Sequence, residues 1–348
     1  SGHYHTCAIL DDGTVSCWGY NSDGQLGDGT TTNQNTPNQT SSLGIGRTAI
    51  GISSGRYHHC ALLDNGAVSC WGRGNYGQLG DGTNNSQTTP TQTSSFGTTT
   101  NPRTVALSER DLDGDGVLNI FDVHHKIDSH ETTISSGGYH TCAILDDGTV
   151  SCWGYNSYGQ LGDGTMTQRG TPTQTSSLGT EKTAVAISSG GYHTCAILND
   201  GTISCWGYNG YGQLGDGTTT QRGTPTQTVS LGNGRTAVAI SSGSQSTCAI
   251  LDDGTVSCWG LNDDGQLGDE TTTTRTTPTQ TASLGTERTA VAISSGPVHT
   301  CAILDNASVS CWGYNSDGQL GDGTTTTRTT PTQTASLGTE RTAVAISS

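Results

Sequence analysis

The sequence is poor in basic residues, in large unbranched apolar side chains and in long apolar runs. Its 348 residues hold 14 Lys and Arg against 30 Asp and Glu, a formal net charge of −16. So acidic a chain lacks the clustered cations that phosphate backbones require, which excludes broad nucleic-acid binding. With only 2 Phe and 1 Met, a helix-rich core of large flexible side chains is not expected. No run approaches the ~18 apolar residues of a membrane-crossing helix, so no membrane insertion is expected. The chain opens at Ser1 with neither Met nor a signal-peptide pattern. A processed protein, or a section of a longer one, is the expectation. Glycine (51 residues) and cysteine (12) are what it has in quantity, and together with the polar remainder they point to an acidic, turn-rich β protein.

Self-similarity decides the fold class. The block Tyr-His-Thr-Cys-Ala-Ile-Leu-Asp-Asp-Gly-Thr-Val-Ser-Cys-Trp-Gly recurs, with its leading cysteine at Cys7, Cys60, Cys142, Cys195, Cys248 and Cys301. The intervals are 53, 82, 53, 53 and 53 residues, so one of them carries an insertion. The units fall at about 1–53, 54–102, 135–188, 189–241, 242–294 and 295–348, with 103–134 inserted. Each unit predicts four short strands: Ala143 to Leu145 and Thr149 to Ser151 around Asp146-Asp147-Gly148, a Gly-Gln-Leu-Gly-Asp-Gly return, and a closing Thr-Ala-Val-Ala-Ile. Gly148 supplies the positive φ that so short a hairpin loop needs. Four strands per ~50 residues suit a propeller blade, which buries its faces only in a ring.

The stretches His140 to Gly162 and His193 to Gly215 resemble the RCC1 repeat, the unit of the regulator-of-chromosome-condensation β-propellers. The likeness covers the chain outside the insertion. It implies an all-β propeller of four-stranded blades around a central axis; such propellers usually have seven blades, and six repeats are present. The two chain ends are complementary. Unit one lacks a closing strand before its hairpin, and Thr342 to Ile346 has no hairpin after it. The expectation is that the terminal strand completes the first blade within one chain. The alternative is strand exchange between chains, giving a self-associating subunit of a polymer.

Every unit carries Cys-x9-Cys: Cys7 with Cys17, Cys60 with Cys70, Cys142 with Cys152, Cys195 with Cys205, Cys248 with Cys258, and Cys301 with Cys311. Folding each hairpin about its turn sets the two cysteines opposite one another, within disulfide reach. Six intra-blade disulfides are therefore expected, with unpaired structural thiols as the alternative. Zinc is excluded because no close cysteine pairs exist. An oxidising, extracellular location follows, secreted or at a cell surface.

The tryptophans (Trp18, Trp71, Trp153, Trp206, Trp259, Trp312) recur once per unit and are expected to fill the space between blades. The histidines (His5, His58, His140, His193, His299) are expected to make blade-stabilising hydrogen bonds rather than to ring a metal, and Ser246 stands in their slot in unit five.

The insertion is the one non-repetitive segment. Asp111, Asp113, Asp115, Val117, Asn119 and Asp122 occupy positions 1, 3, 5, 7, 9 and 12 of a loop with Gly116 at position 6. That oxygen-rich spacing suits Ca2+, with Val117 offering its carbonyl. Asp122 replaces the usual terminal Glu, so the loop resembles those of dockerins and thrombospondin type 3 repeats. The propellers' GTPase-opening wedge has only this acidic loop as a positional counterpart, so nucleotide exchange is not expected.

Near-identical blades leave few unique residues for catalysis, and no nucleophile–base pair stands out, so no enzyme is expected. The expected function is a non-catalytic extracellular module for structure, adhesion or binding of a protein or glycan. The alternative is a secreted inhibitor or receptor-like binder that uses one propeller face, as an RCC1-like inhibitor of β-lactamase does. Tyr20, Tyr155, Tyr208 and Tyr314, each following a Trp-Gly, are the candidate binding face. Arg56 with His58 and His59, Arg73, Ser244 to Ser246 and Pro297-Val298 are the remaining departures from the repeat. Asn38, Asn84 and Asn306 open glycosylation sequons in expected connections or turns.

Overall fold

The computed structural model describes residues 2–98, 101–103, 105, 133–232, 234–338, 341–343 and 345–347. The calcium-loop candidates Asp111, Asp113, Asp115, Val117, Asn119 and Asp122 lie outside the described residues.

The molecule is an all-β, six-bladed propeller whose full blades are four-stranded and antiparallel. Blade four is typical, running in sequence order through Ala184–Ser189, His193–Leu198, Ile203–Gly207 and Arg222–Gln227. Its first strand is the closing strand of the preceding sequence unit, so blades and units are offset by one strand. Each hairpin forms locally. In blade three the Leu145 N–H donates to Thr149 O (2.8 Å) and the Gly148 N–H to Leu145 O (2.8 Å), with Gly148 at φ 74°. Asp147 accepts from the Thr149 backbone and hydroxyl, closing the loop chemically.

This turn fixes the register that sets Cys142 opposite Cys152, and the same pairing recurs in the other blades. Cys7 is bonded to Cys17, Cys60 to Cys70, Cys142 to Cys152, Cys195 to Cys205, Cys248 to Cys258, and Cys301 to Cys311, each at a Cα separation of 4.1 Å. No cysteine among the described residues is left as a free thiol. Cys60 and Cys70 of blade two are sealed completely, whereas Cys301 and Cys311 of blade six keep a trace of exposure.

The core is divided among the seams between blades. Ala186, Ile197, Ile203 and Leu214 of blade four pack with Ala237, Leu251 and Trp259 of blade five, and the other seams repeat the set. The Phe96–Thr98 and Asn101–Arg103 strands form a small extra hairpin, and Phe96 and Val105 fill the seam beside Trp153. Five of the six tryptophans are buried completely. Trp71, Trp259 and Trp312 donate from Nε1 to the carbonyls of Gln25, Gln213 and Gln266 in the preceding blade. A Cβ on Gly215 would lie 2.8 Å from the Trp259 ring, so glycine is required for that approach.

The histidines also work across seams. His58, His140 and His193 place Nε2 at 2.8–2.9 Å from the hydroxyls of Thr141, Thr194 and Thr247 in the next blade. Those hydroxyls donate onward to the carbonyls of Gln78, Gln160 and Gln213. A hydroxyl has one proton to give, so each imidazole must donate from Nε2 and leave its buried Nδ1 unprotonated. Burial accordingly pushes all three histidines down to about 3.

The junction of the last blade with the first differs from these seams. Blade one is a three-stranded sheet, His5–Ile9, Val15–Gly19 and Gln34–Gln39. The expected closure by the C-terminal strand is not made among the described residues. Ala343 and Ile346 pack on the Ala292 to Leu320 cluster of blade six, which includes Cys301 and Cys311, as Ala290 and Ile293 pack on the matching cluster of blade five. The Ala343 N–H donates to Ala307 O (3.1 Å), the bond that Ala237 and Ala290 make to Gly201 and Gly254. The segment therefore docks on blade six as the inner strands of blades five and six dock on the blade before them. A Cβ on Gly24, Gly77, Gly159, Gly212 or Gly265 would meet the outer strand of the next blade at 2.6–2.9 Å, whereas Gly318 meets nothing within 4 Å. Trp18, whose counterparts are sealed, is only half-buried.

Candidate functional site

One end of every hairpin carries the acidic turn, so the residues before the histidine and after Trp-Gly must meet at the other end. Backbone pairing enforces this: the Tyr155 N–H donates to Tyr139 O (3.0 Å), and the Tyr208 N–H to Tyr192 O (2.9 Å). A third column joins them from the Gly-Gln-Leu loop. There Tyr76, Tyr158 and Tyr211 donate their backbone N–H to Gln78, Gln160 and Gln213 of the same loop. The repeat thus stacks three side-chain columns around one end of the propeller.

In blades three and four all three columns are aromatic, and in blade two Tyr57 and Tyr76 flank Arg73. Tyr139 and Tyr192 are stacked, with centroids 5.6 Å apart and planes 24° apart. Tyr155 meets Tyr76 at 5.0 Å, Tyr158 meets Tyr208 at 5.1 Å, and Tyr208 meets Tyr211 at 6.2 Å, all edge to face. Such pairs hold one another rigid while one ring face or edge stays wet. The rings are half-buried, and burial among them pushes the Tyr192 hydroxyl up to about 12. Tyr208 is raised for the same reason. The same slots hold Gln245, Leu261 and Asp264 in blade five, Val298, Tyr314 and Asp317 in blade six, and Tyr4, Tyr20 and Asp23 in blade one. The tyrosines packed ring against ring are therefore a crescent over blades two to four, with Tyr4 and Tyr20 as a further pair on blade one.

The crescent borders the mouth of the central axis, a cavity of about 400 Å³. Its wall is a ring of small residues, including Ser54-Gly55, Gly137-Gly138, Gly190-Gly191 and Gly243, with Arg56, Tyr139 and Tyr192 at the rim. Ser136, Ser189, Ser242 and Ser295 donate backbone N–H groups to serine hydroxyls of the preceding blade, which uses the polar capacity of the shaft for structure. Arg56 and Arg73 stand at the blade-two end of the crescent, each with its guanidinium carbon 5.4 Å from the Tyr57 ring centroid.

Of the four candidate tyrosines, Tyr155 and Tyr208 lie in the crescent. Tyr20 pairs only with Tyr4 at blade one (6.3 Å), and Tyr314 makes no ring contact among the described residues. Sequence reasoning misses Tyr57, Tyr76, Tyr139, Tyr158, Tyr192 and Tyr211. Aligning the six units column by column exposes them, since tyrosine changes to another residue within one column between blades four and five. His58 and His59, expected at the surface, are buried completely. Asn84 and Asn306 are exposed, but Asn38 lies on a strand and donates to Asp28 (2.9 Å). Among the described residues, no group of three or more His, Cys, Asp or Glu is placed to hold a metal.

A disulfide-tied propeller with one differentiated aromatic end has the build of a repeat scaffold that presents a surface, and its blades define the class. The chain belongs to the RCC1-like domain family, whose family model matches residues 1–348. The Ultraviolet-B receptor UVR8 of Arabidopsis thaliana is 29% identical over 355 residues, covering 95% of this chain and 80% of the receptor. Human WBSCR16 superimposes with a TM-score of 0.79 at 22% identity, covering 97% of this chain and 81% of that one. Yeast RCC1 (Prp20), solved with Kap60, gives 0.77 at 19% identity, covering 97% and 74%.

Proposed function

We propose that this protein is a non-catalytic extracellular interaction module whose working surface is the tyrosine crescent of blades two to four. The single observation that carries the reading is the packing of tyrosines from all three columns into one continuous cluster over blades two to four, where blade five has no aromatic residue and blade six only Tyr314. A structural role would place them in all six blades, as it does the tryptophans and cysteines. Tyr and Arg are the residue types that dominate binding energy at protein interfaces. Rings already packed edge to face lose little freedom on binding. Six disulfides, one per blade, support an oxidising location.

The test is capture from extracellular material with the wild-type chain and with a double variant, Tyr139→Ala and Tyr192→Ala, followed by direct affinity measurement on each captured protein. Wild type is expected to retain a partner that the variant binds at least tenfold more weakly, the scale of one or two hot-spot residues (about 1.4–4 kcal/mol). Equal affinities, with unchanged melting temperatures, would contradict the assignment.

The insertion is proposed to bind one Ca2+ through Asp111, Asp113, Asp115, Asn119, Asp122 and the Val117 carbonyl, ordering the segment by removing repulsion among its acids. Calorimetric titration of the whole chain is expected to give one site that Asp115→Asn weakens at least tenfold, with Kd on the order of 10⁻⁴–10⁻³ M as in extracellular modules. Titration heat that is the same for both chains would remove the site.

A further inference from the structure

Eight basic side chains among the described residues are paired with aspartates: Arg47, Arg169, Lys182, Arg222, Arg235, Arg275, Arg288 and Arg328. Arg56 and Arg73 are not, nor is Arg341 in the C-terminal segment away from this end. Neither Arg56 nor Arg73 has a carboxylate partner among the described residues, in a chain whose net charge is −16. Both instead lie against one ring, Tyr57, at 5.4 Å. Arg56 is held further by Tyr139, 6.0 Å from its ring centroid and with Nη1 donating to the hydroxyl at 3.3 Å. Arg73 keeps its Nε buried and without a hydrogen-bond partner. An aromatic ring satisfies the face of a guanidinium but none of its five N–H donors. Two pre-positioned cations therefore retain donors that the protein does not use.

We infer that Arg56, Tyr57 and Arg73 form a subsite for a single carboxylate side chain, an Asp or Glu that a partner protein presents beside apolar or aromatic groups seated on the crescent. This deepens the docking reading above and rests on it. A guanidinium matches a carboxylate in a two-pronged, charge-assisted geometry. On an open surface such a pair contributes little, but under a docked partner water is excluded and the pair sets orientation as well as affinity. The remainder of the same end fixes that orientation. Asp23, Asp264 and Asp317 occupy the loop column in blades one, five and six, so an acidic group is attracted to blade two and repelled from the opposite half. The same division argues against a polyanionic glycan, which needs a run of cations along its length and would cross the acidic half.

The experiment uses the full chain and a displayed library of cyclic heptapeptides. Clones are selected on wild type and counter-selected on the double variant Arg56→Gln and Arg73→Gln; Arg56 is exposed and Arg73 half-exposed, and unchanged melting confirms that the variant folds. The expected clones carry one Asp or Glu flanked by apolar or aromatic residues. Their synthetic peptides are expected to lose about tenfold in affinity on Arg56→Gln, on Arg73→Gln, and on replacement of their own acid by its amide. Peptides that need Tyr139 and Tyr192 but show no acid or arginine dependence would overturn this subsite while leaving the crescent as a docking face. Peptides indifferent to Tyr139 and Tyr192 as well would remove the face reading itself. A heparin hexasaccharide serves as the second probe, and arginine-dependent binding of it without any acidic peptide would replace the protein carboxylate with a sulfated glycan.

Discussion

Lowering the pH from 7 to 5 is expected to destabilise the fold by at least about 6 kcal/mol, with the disulfides intact. His58, His140 and His193 are buried completely, and burial holds each near a pKa of about 3 against an ordinary value of 6.5. Their hydrogen bonding agrees, because each threonine hydroxyl is already committed to a glutamine carbonyl and Nδ1 has no acceptor nearby. The unfolded chain takes up these protons as the pH falls below 6.5 and the folded chain does not. The stability is thus fully present above 6.5 and is lost on acidification towards 3. At pH 5 the difference amounts to about 2 kcal/mol for each histidine. His59, held well below its ordinary value, and His5, at about 4, act in the same direction. Denaturant titrations at the two pH values measure the loss, and His193→Ser should reduce it by about 2 kcal/mol. Serine is chosen because Ser246 already fills that slot in blade five and is buried. A midpoint that does not move between pH 7 and 5 would show that the seams do not depend on neutral imidazole.

Complete reduction is expected to unfold the chain at neutral pH. Each bridge closes a loop with a sequence separation of 10, for which the chain-entropy account gives about 2–3 kcal/mol. Six such contributions match or exceed the ~5–15 kcal/mol net stability of ordinary domains. The order of reduction should follow exposure. Cys60 and Cys70 of blade two, and Cys142, Cys152, Cys195, Cys205, Cys248 and Cys258 of blades three to five, have no accessible surface. Cys301 and Cys311 of blade six are slightly exposed, and Cys7 of blade one is only partly buried. Timed alkylation with mass spectrometry is expected to find the bridge from Cys7 to Cys17 reduced first, that from Cys301 to Cys311 next, and blades two to five last. Full secondary structure and an unchanged melting temperature after all six bridges are reduced would contradict this.

Periodicity alone makes the blades legible. The Cys-x9-Cys interval and the Asp-Asp-Gly turn are local, so register and cross-strand cysteine pairing follow from the backbone geometry of one hairpin. That holds for Cys60 with Cys70 and for Cys301 with Cys311 as it does for the hairpins of the other blades. Trp71, Trp259 and Trp312 fall between blades for a related reason, since a residue present in every repeat serves the repeat. Hydrogen bonding of the histidines is legible, but their partners lie 54 residues away for His140 and His193 and 83 for His58, a separation no local pattern reports. Junction geometry is the least legible. The sequence of the terminal segment matches Ala290 to Ser294 and so predicts an inner strand docked on the preceding blade, which its contacts with blade six bear out, but its pairing with His5–Ile9 of blade one is not made among the described residues. The crescent is half legible: Tyr155 and Tyr208 follow a conspicuous Trp-Gly, whereas Tyr139 and Tyr192 are marked only by being absent from blades five and six.

The central claim is that binding is confined to the aromatic half of one propeller end. Its most direct test is an alanine scan of the three columns in all six blades, from Tyr4, Tyr20 and Asp23 to Val298, Tyr314 and Asp317, read as affinity for a captured partner. Losses of about 1–4 kcal/mol at Tyr139, Tyr155, Tyr158, Tyr192 and Tyr208, the range of interface hot spots, with near-neutral values at Gln245, Leu261, Asp264 and Tyr314, are the predicted result. Losses spread evenly around the ring, or concentrated on blades five and six, would contradict it.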